Sequence, residues 1–282
     1  MRVQHVWIYG ENSCLTSAQH LSLGACENEF VNPWVIATPI ALAAAAVTAY
    51  GAVNTHSELF GPTVWQTNSP RRLAITFDDG PNPKITPELL KLLERYEARV
   101  TFFMVGRFAQ ECPELVHEIV SRGHVIGNHT ATHANLFWRA PAQIRQQMVR
   151  CNEAIGLIAG MTPKWFRPPW GMRNPWVVSS AMGMGMRTVL WTLLPGDWRA
   201  KPALWLIKRM EPIAKRAQGL SVAGGNSAAG HGDILCLHDG DYRFLNADRR
   251  ATVEALQYWL PRWRDLGLEF VTIDEAVSLP PR

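Results

Sequence analysis

Charge is missing from one long stretch of this chain, and paired cysteine motifs are missing from all of it. From Phe30 to Ser57 there is no Asp, Glu, Lys or Arg. No Lys/Arg block with interleaved aromatics occurs anywhere and the formal net charge is only +4, so the electrostatic footprint of a nucleic-acid binder is absent. The five cysteines, Cys14, Cys26, Cys112, Cys151 and Cys236, contain no CxxC pair. They build no zinc knuckle, their odd number leaves one thiol over whatever disulfides form, and they do not fix a compartment. They read as buried or incidental thiols. Internal repeats are also lacking, and the single low-complexity stretch is "GLSVAGGNSAAGHG", Gly219 to Gly232, a loop by composition.

What is present is ordinary for a folded protein: 282 residues, 47% apolar and 18% charged. One large core is expected, since α/β barrels occupy this length as one domain. The uncharged centre, "PWVIATPIALAAAAVTAYGAV", is long enough for a bilayer core of about 30 Å, which takes roughly 20 residues. It is alanine-rich and interrupted by Pro39, so insertion is marginal. Residues 31–54 are therefore expected to be a signal or anchor segment, with 33–53 meeting the membrane, against the alternative of a buried or surface-lying helix. Residues 1–30 show neither periodicity nor an orienting basic cluster, and are expected to be a leader preceding a start at Val31. A native peptide mapping to 1–30 would exclude that. Residues 55–70 read as a linker and 71–279 as a single catalytic domain.

Beyond the linker, short apolar runs alternate with helical patterns. Strands are expected at Leu73–Phe77, from Val100, from His124, in "KWFRPP", from Arg187, from Asp233 and from Leu268. Helices are expected at Pro87–Tyr96, near Pro113–Arg122, and at Gln143–Ala159, Pro175–Met182, Pro202–Gln218 and Asp248–Arg264. Such alternation implies parallel strands with helices outside. In a closed parallel barrel the reactive residues lie where strands end.

Polar residues recur at those ends: Asp78-Asp79, His129 and His133, Arg167, Asp197-Trp198, and His238-Asp239. The i to i+4 spacing of His129 and His133 puts both imidazoles on one face of a helical turn, able to grip one ion. A carboxylate from another strand end completes a two-His, one-carboxylate set that leaves metal positions open. Two adjacent aspartates then have separate uses, one as ligand and the other free to take a proton from water.

The sequences "TFDDGP", "HTATH", "RPPW", "DW" and "LHD", in this order from about Leu73 to Ile273, resemble the five signature motifs of the polysaccharide deacetylases, the NodB-homology domain of carbohydrate esterase family 4. The resemblance implies a distorted, TIM-like (β/α)7 barrel that hydrolyses N-acetyl groups on amino sugars with a divalent metal, Zn2+ foremost, with Co2+, Mn2+ or Ni2+ as alternatives. It makes Asp78 the catalytic base, Asp79, His129 and His133 the metal ligands, and Arg167 the residue that orients the base. Asp197 becomes the partner of His238, the general acid, and Trp170 a wall of the groove. An amide near Pro169 or Trp170 is expected to face the oxyanion, Trp198 to meet a sugar ring, and Leu237 with Leu235 to line a pocket for the acetyl methyl. Asp239 and Asp241 read as loop caps.

The implied substrate is an N-acetylglucosamine-containing glycan: peptidoglycan, a chitin-like oligomer or a lipid-linked sugar. The expected place of action is the cell envelope, and the expected state a monomer. A deformylase on the same fold and an inactive glycan-binding module are the alternatives. The intact Asp78, Asp79, His129, His133 and His238 speak against the second. Two departures stand out: Leu194 occupies a place where the family often has a further aspartate, and the 219–232 loop, with His231, adjoins one rim of the groove.

Overall fold

The computed structural model describes residues 33–222 and 230–277. The segment 1–30, with Cys14 and Cys26, and residues 223–229 of the Gly/Ser/Ala loop lie outside the described residues. In chain order the elements are α1 (Pro33–Val53), β1 (Thr63–Val64), β2 (Gln66–Thr67), β3 (Arg72–Asp78), α2 (Thr86–Arg95), β4 (Thr101–Met104), α3 (Gly106–Glu111), α4 (Pro113–Ser121), β5 (Val125–Asn128) and α5 (Pro141–Ala159). They continue with β6 (Trp165–Phe166), a 3-10 turn at Pro169–Gly171, α6 (Pro175–Gly183), β7 (Arg187–Val189), α7 (Ala203–Val222), β8 (Gly232–His238), α8 (Arg250–Asp265), β9 (Glu269–Phe270) and α9 (Ile273–Val277).

The strands form one sheet in the order β1-β7-β6-β5-β4-β3-β8-β2, with β9 also pairing β3. Every pairing is parallel except β2 with β8. β1 and β2 sit at opposite edges of the sheet although only Trp65 separates them in sequence. One short segment thus spans the gap and nearly closes the sheet, which gives the distorted (β/α)7, TIM-like barrel as a single domain. The barrel therefore reaches back into residues 55–70, read from the sequence as linker. Two-residue strands carry too little pattern to be seen in a sequence.

The period-2 alternation of the strands sorts their side chains. On β3, Leu73, Ile75 and Phe77 join the apolar layer under the helices, as do Leu235 and Leu237 of β8. The intervening Thr76, Asp78, Cys236 and His238 take the other face, inside the barrel. α2 begins with Pro87 in its first turn and buries Leu89, Leu90, Leu92 and Leu93, each contributing about 1.5 to 3 kcal/mol of transfer free energy. Trp259 and Trp263 of α8 stack with centroids 5.5 Å apart and fill the layer facing α7.

The uncharged N-terminal segment does form a helix, α1. Among the described residues no helix is long and apolar enough to cross a membrane; alanine offers little transfer energy per residue. Within the unit Ala44–Arg282, the end of α1 is tied down by the buried Arg173, whose guanidinium donates to the carbonyls of Gly51, Asn54 and Ser57. The last carbonyls of a helix lack intrahelical partners, and Gly51 is one of these.

Candidate active site

Parallel register brings the strand ends to one rim. Asp78 is the last residue of β3 and its register partner is His238, the last of β8. His129 follows β5 and Arg167 follows β6. A cavity of about 330 Å3 opens over these ends, lined among others by Asp78, Asp79, His129, His133, Trp170 and His238.

Both oxygens of Asp78 are held. Arg167, fully buried, donates through Nη1 to Asp78 Oδ1 at 2.7 Å and to Thr76 Oγ1 at 2.7 Å. Its Nη2 donates to the Leu190 carbonyl at 3.1 Å, and the Phe103 ring lies 4.1 Å from the guanidinium carbon. The Cys236 thiol donates to Asp78 Oδ2 at 3.3 Å. Cys236 is thus no incidental thiol, and its place two residues before His238 on an alternating strand, hence on the same face, was the signal for it. Cys112 and Cys151 are buried free thiols, as expected.

Asp79 has a φ of 72°, and Thr130, His133 and Trp170 are also left-handed at 69°, 55° and 55°. For residues other than glycine such backbone costs roughly 1 to 3 kcal/mol each and gathers at functional sites. Here it turns Asp79 and His133 toward one point. The spacing of His129 and His133 suggested a helical turn, but the residues after Asn128 form a loop. The loop, not a helix face, brings the imidazoles together, with ring centroids 4.9 Å apart.

Asp79 Oδ1 lies 3.5 Å from His129 Nε2 and 3.2 Å from His133 Nε2. The remaining nitrogen of His129, Nδ1, is 2.7 Å from the Arg167 carbonyl. Donation there makes Nε2 the lone-pair nitrogen, the arrangement that prepares an imidazole for a metal. One donor atom from each of Asp79, His129 and His133 lies within 4.8 Å of the others. Burial would raise the Asp79 carboxyl, but the surrounding histidines outweigh it and hold it well below the usual carboxylate range. Burial pushes His133 down to about 3, so it is neutral. Asp79 Oδ1 is buried with no hydrogen-bond partner among the described residues. An orphaned, ionised oxygen between two imidazole nitrogens fits a divalent cation. Asp78, Cys236 and His238 also cluster, but Asp78 is committed to Arg167 and His238 to Asp197.

His238 Nδ1 is 2.8 Å from Asp197 Oδ1, while Asp197 Oδ2 accepts from the His238 backbone N–H at 2.7 Å and from Thr252 Oγ1 at 3.0 Å. Burial would lower the imidazole, yet the Asp197 charge and hydrogen bond, with Asp79 and Asp78 beyond, raise it to about 9. Behind the pair, Asp239 is buried against Gly80 and accepts from Thr86 Oγ1. Burial brings its carboxyl up to about 7.

The groove residues divide. Trp170 and Trp198 line the cavity and remain 47% and 39% exposed, and Leu194 lines it too. Leu237 does not: it is fully buried in the apolar layer, because a strand that turns His238 inward turns its neighbour outward. Pro169 is buried and carries no N–H, so of the two residues only Trp170 offers an amide. Sequence reasoning passed over Tyr242, which stacks on His133 at 4.2 Å, and Arg249, buried in the cavity wall. Neither belongs to a local motif. Asp241, read as a loop cap, pairs with Arg243 and Arg249.

Residues 66–189 match the family model described as polysaccharide deacetylase. A peptidoglycan-N-acetylglucosamine deacetylase of Bacillus cereus is 35% identical over 218 residues, covering 77% of this chain and 93% of the relative. The chain belongs to the polysaccharide deacetylase family. A chitooligosaccharide deacetylase of Azorhizobium caulinodans is 32% identical, covering 71% of this chain and 92% of that relative. Among solved structures, a peptidoglycan N-acetylglucosamine deacetylase in complex with an N-oxidanyl-benzamide aligns with a TM-score of 0.65 at 27% identity, over 76% of this chain and 92% of that one. In this polysaccharide deacetylase the five motifs stand at the barrel rim described above.

Proposed function

We propose that the protein is a metal-dependent hydrolase that removes N-acetyl groups from N-acetylglucosamine-containing glycans of the cell envelope, acting as a monomer. The observation that carries this is the Asp79, His129 and His133 donor set beside a separately held Asp78. Asp79, His129 and His133 would hold the metal, and their oxygen and nitrogen donors suit Zn2+, with Co2+, Mn2+ or Ni2+ as alternatives. A bound divalent cation supplies Lewis-acid polarisation of the amide carbonyl and lowers the pKa of water.

The chain's own residues do the rest. Asp78 takes the proton of the attacking water, and Arg167 and Cys236 keep its carboxylate from rotating away. The Trp170 amide meets the developing oxyanion. His238, charged through its bond to Asp197, gives its proton to the departing sugar amine, without which an amide C–N bond does not break. Trp170 and Trp198 offer ring faces to sugar.

The test is acetate release from chitooligosaccharides, peptidoglycan and acetylated lipid-linked sugars across a series of these metals. Release from at least one substrate with at least one metal is expected. Purified, metal-loaded protein that frees no acetate from any of them would overturn the proposal.

A further inference from the structure

We propose that a groove next to His238 binds an oxyanion, a carboxylate or a phosphate, carried by the glycan beside the sugar being deacetylated. The inference rests on the deacetylase reading and narrows its substrate class. A second cavity of about 570 Å3 shares Trp198, Asp241, Arg243 and Arg249 with the catalytic one. The two are therefore contiguous, and the ring of Trp198, 5.3 Å from that of His238, stands between them.

Five cations line this groove: Arg199, Lys201, Arg243, Arg249 and Arg250. Three are paired in place, Arg243 and Arg249 sharing the single carboxylate of Asp241 and Arg250 meeting Asp248. Arg249 is only 8% exposed and also donates to the Gly240 and Trp198 carbonyls, so the floor of the groove is a fixed structure. Asp197, the other acid at this wall, is spent on His238. Arg199 and Lys201 have no carboxylate partner among the described residues, and Glu254 is the one uncommitted acid of the lining. Arg199 is anchored over Trp198 at 5.7 Å from the ring.

The first residues of α7 and α8 also open onto the groove, and α8 has no side-chain cap. Asp248 accepts the Arg250 amide, and the positive helix ends add to the same sign of potential. A neutral chitin-like oligomer has nothing to place there. A strand with a carboxylate on alternate sugars, or a sugar joined to phosphate, does.

The experiment compares wild type with R199A/K201A on three substrates: chitotetraose, an N-acetylglucosaminyl-N-acetylmuramyl oligosaccharide, and an N-acetylglucosamine oligomer ending in phosphate. Two charge-assisted contacts predict that kcat/KM for whichever anionic substrate the groove serves falls about tenfold or more, through KM, with chitotetraose unchanged within about twofold. Raising salt from about 50 to about 500 mM weakens wild type on that substrate alone. The anion that is favoured identifies its source. Equal loss on all three substrates, or no loss on either anion, overturns the proposal. If no substrate yields acetate, the deacetylase reading fails separately. The groove is then judged by quenching of tryptophan fluorescence, where wild type must bind an anionic oligosaccharide more tightly than chitotetraose and R199A/K201A must not.

Discussion

Replacing Asp197 with Asn probes the general-acid role proposed for His238 without touching the proposed metal ligands. In the native protein His238 stays protonated up to about 9 against an ordinary 6.5, a difference worth about 3 kcal/mol at 1.36 kcal/mol per pH unit. Burial opposes that rise, and Asp197 is the largest contributor to it, ahead of Asp79 and Asp78. Because the folded value is raised, the acid form is available below about 9, and its contribution to stability is complete below 6.5 and fades as pH climbs through 9. An asparagine keeps one oxygen to accept a hydrogen bond at this site but removes the charge. Burial then acts with little opposition. The alkaline limb of kcat/KM, measured as acetate release from chitotetraose, should fall from about 9 to the ordinary imidazole range or below, and the rate near pH 8 by about 30-fold or more. An alkaline limb that stays near 9 in D197N would show that His238 is not the acid or that Asp197 does not set it.

Three further outcomes follow from the geometry. H129A should lose metal as well as rate, since it removes one of the three proposed ligands; elemental analysis after dialysis that still finds one metal per chain would refute the ligand role. R167A leaves the Asp78 carboxylate buried without its cation, a loss of about 3 to 5 kcal/mol, and should lower Tm by roughly 6 to 20 °C. A thermal scan within a few degrees of wild type would contradict that pairing. G80A drives a Cβ into the Asp239 carboxylate and should destabilise by about 1 to 3 kcal/mol; urea midpoints matching wild type would show that the two loops are not packed as described.

Much of this was legible because a parallel barrel writes its rim locally. An apolar run followed by a polar residue is a strand and its end, so Asp78, His129, Arg167 and His238 were each visible within a few residues. What joins them is not local. β1 and β2 close the sheet with two residues each, too few for periodicity. The His129 and His133 spacing is the same on a helix and in this loop, and only the left-handed Thr130 and His133 distinguish the two. Leu237 was recoverable in principle, since fixing His238 inward fixes the phase of β8. Arg249, Tyr242 and the cationic groove arise from loops that meet only after folding, and no motif announces them.

The central claim is a division of labour between adjacent aspartates, with Asp79 holding the cation and Asp78 taking the proton. The most direct test is D78N, assayed at once for metal content and for acetate release. The account predicts full metal occupancy with turnover reduced by about 10³-fold or more. A D78N protein that turns over at near wild-type rate, or one that loses its metal, would contradict it.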